Sequence, residues 1–349
     1  MEATPTPTTP SATAEAAARS AGGAHRDVPR QRVGSGREAR YRELMERYLG
    51  PCVLDAFAND DVTEVYVNPH DGWLRLDTRS EGKVRTDTRL RASRVEQFLG
   101  AVAAFHGDAL GPAAPSVQAE LPTGTFGGAR LQGFVPPLVP RACFVVRKPA
   151  RVVYDLDSYV RMGVMSARHR FALRDAIDAH ENVLVCGGTG SGKTTLCNAL
   201  LLEMTERFPE ERIVVLEDTG ELQCAADDHL QLQTSDDVSL ADLVRHTLRC
   251  TPDRIVVGEV RDAAALDLLD AWATGHPGGC ATLHATTALG ALHRLDRLAQ
   301  RANVPPQHAL VAEAVGIALI VEGGNAGRRV RELVRVVGHD GADYRLEPV

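Results

Sequence analysis

The sequence has no apolar run long enough to cross a membrane, because no stretch approaches the roughly 18 uninterrupted apolar residues that a spanning helix needs. Its N-terminus also lacks the apolar core of a secretory signal peptide. We therefore expect a cytoplasmic protein. Its contact with the inner face of the cytoplasmic membrane should be peripheral and made through partners.

Paired cysteines and basic stripes with interleaved aromatics are missing as well. The seven cysteines are scattered with no C-x-x-C pair, so the sequence predicts neither a zinc ribbon nor a disulfide framework. Aromatic residues make up 5% of the chain and the net charge is -7, which argues against a protein that coats nucleic acid. We expect no stable sequence-specific binding of nucleic acid, although DNA passing through a locally basic channel stays open.

The chain is long enough for two ordinary domains with their own cores, at 349 residues of which 44% are hydrophobic. Residues 1–36 are rich in Ala, Thr, Pro, Ser and Gly and contain almost no large apolar side chains. Such a segment cannot bury enough surface to offset its ordering entropy, so we expect a disordered tail.

Residues 38–150 have the pattern of a small α+β domain. Apolar residues at helical spacing from Tyr41 to Tyr48 predict one face of a helix beginning near Glu38. The runs 65–67 and 73–76 flank a turn and predict a β-hairpin, and short strands are expected near 129–134 and 141–146.

Residues 151–349 alternate strand and helix patterns. Apolar runs predict strands near 182–186, 212–217, 230–233, 254–257 and 280–283, with helices between them. This alternation predicts a mainly parallel sheet with helices on both faces. Ligands on such sheets bind at the carboxyl ends of the strands, so chemistry-bearing residues should lie there.

A phosphate-binding loop follows the first of these strands. Residues 187–194 fit G-x-x-x-x-G-K-[ST] between a strand and a helix, which is the setting the motif requires. Lys193 would reach the β- and γ-phosphates of ATP, and the Thr194 hydroxyl would ligate Mg²⁺. The predicted nucleotide-binding residues are Gly187, Gly188, Thr189, Gly190, Ser191, Gly192, Lys193, Thr194 and Thr195.

Three other predicted strands also end in polar residues. Glu259 stands at the end of one strand and is our candidate for the carboxylate that activates water. Many P-loop enzymes carry an Asp just before such a Glu, but this chain has Gly258 there. The outer shell of the metal would then come from Glu217, Asp218 or Glu221.

His284 follows another predicted strand and has two readings. It could sense or contact the γ-phosphate, or it could simply be a histidine hydrogen-bonded at the end of a core strand. The sequence alone does not choose between them.

The chain resembles the type II/type IV secretion ATPase superfamily. The stretches that carry this resemblance are the P-loop and residues 217–222, 258–261, 274–276 and 282–285. In the language of that family these stretches are the Walker A motif, the Asp box, an atypical Walker B motif and the His box. The tetracysteine zinc module of type II members is absent, which favours the type IV branch.

The resemblance implies a homo-hexameric ring that works with inner-membrane components of a secretion or conjugation apparatus. Each subunit would have a PAS-like α+β N-terminal domain and a RecA-like P-loop NTPase domain, with ATP at the cleft between them. Arginines of the N-terminal domain would reach the γ-phosphate, and Arg130 and Arg147 match by position, with Arg141 a further candidate.

The sequence thus predicts an ATPase that drives assembly of, or substrate transfer through, a type IV secretion or conjugation apparatus. A type IV or tight-adherence pilus motor and a nucleotide-gated scaffold with little turnover remain alternatives. The predicted catalytic residues are Lys193, Glu217, Glu221, Glu259, His284, Arg130 and Arg147, and the predicted metal-binding residues are Thr194, Glu217 and Asp218.

Overall fold

The computed structural model describes residues 33–149, 153–235, 237–323 and 327–349. Most of the predicted disordered tail therefore lies outside the described residues. The chain divides into two compact units, Met1–Arg147 and Lys148–Val349. The sequence-based bounds of the two domains, 38–150 and 151–349, stay a prediction beside this division.

The described part of the first unit is a six-stranded antiparallel sheet with helices. The strand order is β3-β2-β1-β6-β5-β4, and the predicted hairpin is confirmed as β1 and β2. The elements are α1 (Val33–Leu49), α2 (Pro51–Ala58), β1 (Val62–Val67), β2 (Trp73–Thr78), β3 (Gly82–Arg89), α3 (Ala92–His106), β4 (Ser116–Glu120), α4 (Thr123–Phe126), β5 (Arg130–Phe134) and β6 (Cys143–Arg147).

Helix α1 shows why its apolar spacing matters. Tyr41 and Met45 are fully buried on the predicted face, and the Tyr41 hydroxyl is 2.6 Å from Nε2 of His106 at the end of α3. The helix begins at Val33, whereas the sequence predicts disorder through residue 36 and a helix start near Glu38. Tertiary packing of an amphipathic face stabilises a helix more than propensity does, and the helix can extend beyond its best formers.

The described part of the second unit contains an eight-stranded sheet in the order β14-β13-β12-β7-β11-β10-β8-β9. Strands β12 to β9 in that order are parallel, which confirms the mainly parallel sheet, and β13 and β14 are antiparallel. The strands are β7 (Val183–Gly187), β8 (Ile213–Glu217), β9 (His229–Gln233), β10 (Arg254–Val257), β11 (Cys280–Leu283), β12 (Ile317–Glu322), β13 (Arg329–His339) and β14 (Tyr344–Pro348).

The helices of the second unit cover both faces of this sheet. They are α5 (Leu156–Arg161), α6 (Ala167–Asp178), α7 (Lys193–Arg207), α8 (Leu240–Thr247), α9 (Ala264–Ala273), α10 (Ala288–Ala299) and α11 (His308–Ala314). Neighbouring side chains of a strand point to opposite faces. Leu184 therefore packs in a core with α8 to α11, whereas Val185 packs in a core with α5 to α7. In the described residues, no helix is both long and apolar enough to span a bilayer.

Arg254, the first residue of β10, is completely buried in the second unit. Its guanidinium donates to the Glu211 carboxylate and, at 2.9 Å, to the Gly278 carbonyl oxygen, and it lies 4.6 Å from the centre of the Phe208 ring. Burial raises the pKa of Glu211, but hydrogen bonds from Arg254 and His180 outweigh it, so the pKa is lowered overall. The buried charge is thus compensated.

Replacing Arg254 should reveal the cost of this burial. We expect Arg254→Ala to lower the free energy of unfolding by about 3–5 kcal/mol, because it leaves the Glu211 charge without its buried partner. Since folding lowers the Glu211 pKa, the difference should be present at neutral pH and shrink as the pH falls through the folded-state value. Urea denaturation at several pH values measures both effects.

The matched control is Arg329→Ala, since Arg329 is 66% exposed and pairs with Glu322 at the surface. It should leave the free energy of unfolding essentially unchanged. Equal effects of the two substitutions would contradict a special role for the buried arginine.

Candidate functional site

The glycines of the loop between β7 and α7 are required by its geometry. A Cβ on Gly187 would lie 2.3 Å from the carbonyl oxygen of Val321 on the neighbouring strand β12, which no side chain tolerates. Gly190 and Gly192 have φ values of 72° and 100°, in the left-handed region that favours glycine. The loop therefore holds a fixed curve that delivers the chain to the N-terminus of α7.

The interior of this loop offers polar groups to an anion. The Lys193 ammonium is buried and donates to the carbonyl oxygens of Gly187 at 3.1 Å and Gly188 at 2.9 Å. The Ser191 hydroxyl is buried and has no hydrogen-bond partner among the described residues. Thr194 and Thr195 lie in the first turn of α7, at the positive end of its helix dipole. An orphaned hydroxyl, a lysine and a helix N-terminus together fit phosphate groups.

Glu221 is the carboxylate that contacts the P-loop helix. The Thr194 hydroxyl donates to Glu221 Oε2 at 3.2 Å. Asn198, one turn further along α7, donates from Nδ2 to the Glu221 carbonyl oxygen at 3.3 Å and accepts from the Gln223 amide at 2.8 Å. The loop after β8 is thus fastened to α7 next to the predicted magnesium ligand.

Glu217 stabilises the same loop through hydrogen bonds to its backbone. It is 3% exposed, and its Oε1 accepts from the backbone N–H groups of Glu221 at 2.9 Å and Leu222 at 2.8 Å. A Cβ on Gly258 would lie 3.1 Å from Glu217 Cγ. Glycine at the Walker B position therefore leaves room for the Glu217 side chain.

Glu259 and His284 form the centre of the site. His284 Nε2 lies 3.1 Å from Glu259 Oε1, and His284 Nδ1 lies 3.4 Å from Lys193 Nζ. Because an ammonium can only donate, Nδ1 is the acceptor and Nε2 carries the proton that is donated to Glu259. Burial, and next the charge of Lys193, lower the pKa of His284, while Glu259 opposes them. The ring is therefore neutral at pH 7.

The carboxylate of Glu259 has a second partner. Its Oε2 accepts from Arg261 Nη2 at 2.7 Å, and Arg261 Nη1 donates to Asp218 Oδ2 at 3.1 Å. Burial raises the pKa of Glu259, but the hydrogen bond from Arg261 and the positive charges of Arg261 and Lys193 lower it overall. Glu259 is therefore ionised at neutral pH.

These contacts form a chain of polar side chains that we call the polar belt. It runs along the carboxyl edge of the sheet in the spatial order of strands β7, β11, β10, β8 and β9. The contact that completes it joins Thr234 Oγ1 to Asp218 Oδ1 at 3.3 Å. The members of the polar belt are Lys193, His284, Glu259, Arg261, Asp218 and Thr234.

The structure thus brings Lys193, His284 and Glu259 together, and separately joins Thr194 to Glu221. Asp218 contacts Arg261 and Thr234. The roles predicted for these residues in catalysis and metal binding stay predictions.

The two predicted arginines lie in the first unit. Arg130 opens β5 and Arg147 ends β6, and the two residues are direct cross-strand partners at one end of the antiparallel sheet. Arg147 is exposed and Arg130 is half-buried. Their role at a γ-phosphate stays a prediction.

Sequence reasoning gave no role to Asn198 or Arg261. Asn198 had a signal, because it is a single amide within an otherwise apolar turn of a helix and is 1% exposed. A buried amide requires partners, so its position predicts a polar contact. Arg261 had none, because an arginine four residues after a strand is usually solvated.

Comparison with known proteins gives consistent matches over most of the chain. Residues 39–333 match the type II/IV secretion system protein family. The chain is 42% identical over 306 residues to the probable conjugal transfer protein TrbB of Sinorhizobium fredii, covering 88% of this chain and 92% of the relative. It is also 42% identical over 299 residues to the conjugal transfer protein TrbB of Rhizobium radiobacter, covering 86% and 91%.

A solved structure shares the fold. The X-ray structure of the Yersinia pseudotuberculosis ATPase DotB superposes with a TM-score of 0.61 at 18% identity, covering 83% of this chain and 79% of that chain. At that identity the likeness extends to the fold alone. The chain therefore has an α/β ATPase fold.

The tautomer and the charge of His284 can be tested by titration. Lys193→Met removes a neighbouring positive charge and should raise the pKa of His284, whereas Glu259→Gln removes a negative charge and should lower it further. Histidine-selective NMR spectra recorded from about pH 4 to about pH 8, the range in which imidazoles usually titrate, measure both shifts. Shifts of the same sign in the two variants would refute the assigned contacts.

Proposed function

Since the chain belongs to the type II/IV secretion system protein family and is an ATPase, we propose that it powers a type IV secretion or conjugation apparatus. It would couple ATP hydrolysis to assembly of that apparatus or to substrate transfer through it. The polar belt carries the proposal, because it connects the P-loop lysine to a candidate water-activating carboxylate. The names of the two conjugal transfer relatives support the choice of apparatus.

The P-loop would bind the phosphates of ATP. The N-terminus of α7 and Lys193 both present positive charge at this loop. Magnesium fits next to this loop, because the Thr194 hydroxyl and Glu221 Oε2 are 3.2 Å apart and both are oxygen ligands. When bound, it would neutralise the charge on the phosphates.

The three candidates for the outer shell of the metal then differ. Glu221 lies against Thr194, whereas Glu217 uses Oε1 to hold the backbone of residues 221 and 222. We propose that Glu221 serves the metal directly or through water and that Glu217 acts by positioning the loop. Asp218 would act mainly through Arg261.

Glu259 would orient and deprotonate the attacking water. An ionised carboxylate is needed for this step, and the lowered pKa of Glu259 keeps it ionised at neutral pH. Neutral His284 would link Glu259 to Lys193, so that a γ-phosphate bound by the lysine is sensed at the carboxylate. His284 is then more than a histidine at the end of a core strand.

The remaining parts of the proposal concern assembly. Residues 38–150 would form the PAS-like domain, and Arg130 and Arg147 would contribute positive charge to the γ-phosphate, as a planar guanidinium does in many phosphoryl transfers. Residues 151–349 would form the RecA-like motor, and the working unit would be a homo-hexamer. It would sit at the inner face of the cytoplasmic membrane, held by inner-membrane components of the apparatus.

The catalytic part is tested by Glu259→Gln. We expect ATP binding to be retained and kcat to fall by about 10²–10⁴-fold, because the amide keeps the shape but cannot accept a proton. Steady-state phosphate release and calorimetric binding of ATP measure the two properties. The matched control is Glu347→Gln at an exposed position of β14, which should behave as wild type. Wild-type turnover in Glu259→Gln would remove this residue from its role, whereas very low turnover in both proteins would favour a scaffold.

The cellular part is tested by Lys193→Ala. In a host that encodes this variant, we expect the frequency of plasmid transfer to collapse while surface adhesion and twitching persist, because phosphate binding by the motor is lost. Transfer frequency, adhesion and twitching are scored side by side. Unchanged transfer with failed adhesion or twitching would instead assign the chain to a pilus machine.

A further inference from the structure

Arg261 joins the ends of two neighbouring strands. Strands β8 and β10 are paired with Leu216 opposite Val257, so the residues that follow them emerge side by side. Asp218 follows β8 and Glu259 follows β10. The guanidinium of Arg261 spans the two carboxylates, with Nη1 3.1 Å from Asp218 Oδ2 and Nη2 2.7 Å from Glu259 Oε2.

The surroundings hold Arg261 in this bridge although its side chain is 58% exposed. Its carbonyl oxygen accepts from Arg301 Nη1 at 3.1 Å, which fixes the backbone. On the far side, Thr234 donates to the other oxygen of Asp218 at 3.3 Å. The bridge is therefore anchored at both ends, and a planar group with several fixed donors suits two acceptors at once.

We propose that Arg261 is a positioning residue for ATP hydrolysis, which fixes the orientation of the Glu259 carboxylate and ties it to Asp218. The inference rests on the proposed function, because it assigns a role within that same reaction. Asp218 acts through Arg261 and serves as its anchor.

Orientation, rather than base strength, is what this contact supplies. A guanidinium beside a carboxylate lowers its pKa and so makes it a weaker base. Hydrolysis of a phosphoanhydride passes through a loose transition state, so the position of the attacking water and of the carboxylate that receives its proton matters more than the strength of that base. A small misplacement of a catalytic group can cost about 10²-fold in rate. A carboxylate held in a fixed orientation therefore raises the rate more than a more basic but mobile carboxylate would.

Substitution of Arg261 separates these effects. We expect Arg261→Ala to lower kcat by about tenfold or more while the KM for ATP and the Kd for ADP change by less than about twofold. Arg261→Lys should be intermediate, because one ammonium cannot bridge both carboxylates with fixed geometry. The matched control is Arg245→Ala, since Arg245 is 51% exposed and pairs with Asp242 and Asp267 elsewhere. It should turn over ATP as wild type does.

A double-variant cycle tests that Arg261 acts through Glu259 and Asp218. In a Glu259→Gln background, Arg261→Ala should lower single-turnover hydrolysis no further, and Asp218→Asn should add nothing to Arg261→Ala. Three results would each overturn the inference. They are additive losses in the double variants, a kcat of Arg261→Ala that is unchanged or increased, and a loss of kcat that follows loss of ADP binding or of assembled mass in light scattering. If Glu259→Gln itself retains full turnover, the proposed function fails instead.

Discussion

The candidate site depends on the register of the parallel strands. Leu216 pairs with Val257, and Cys186 pairs with Leu283, so neighbouring strands reach the carboxyl edge of the sheet at the same level. The residues that follow each strand therefore lie at one edge of the sheet, where their side chains are close enough to contact one another. The polar belt is a direct result, since all of its contacts except that between Glu259 and Arg261, which both follow β10, join groups from strands that are adjacent in the sheet.

Close packing in this arrangement requires glycine at two positions. The backbone of Gly187 approaches the carbonyl oxygen of Val321, and Gly258 leaves space for Glu217. The absence of an acid at position 258 is thus coupled to the presence of one at position 217. Glu217, in turn, holds the loop that carries Glu221 to the P-loop helix. An acid before Glu259 and a buried Glu217 would compete for one volume, so the chain uses the neighbouring loop for acidic groups.

Local patterns made the P-loop and the strand ends predictable, because a motif and an apolar run are read within a few residues. The parallel sheet and the positions of Lys193, Glu259 and His284 at its edge followed from them. The contacts of Arg254 with Glu211, of Asn198 with Gln223 and of Arg261 with Asp218 could not be assigned, because these partners lie 43, 25 and 43 residues away in the chain. Strands β12 to β14 were also missed: β13 and β14 bury few side chains and show no strict alternation, and the short apolar run of β12 does not by itself distinguish a strand from a buried helix.

The side chains along the polar belt alternate in charge, and this alternation affects the electrostatic field of the site at long range. Positive Lys193 is followed by neutral His284, negative Glu259, positive Arg261 and negative Asp218, so the fields of neighbouring groups largely cancel within about one Debye length, roughly 8–10 Å. The formal charges of the polar belt therefore sum to zero, although the whole chain carries a net charge of -7. A charged ligand at this edge would then be recognised by direct contacts with single side chains rather than by the summed field of the belt.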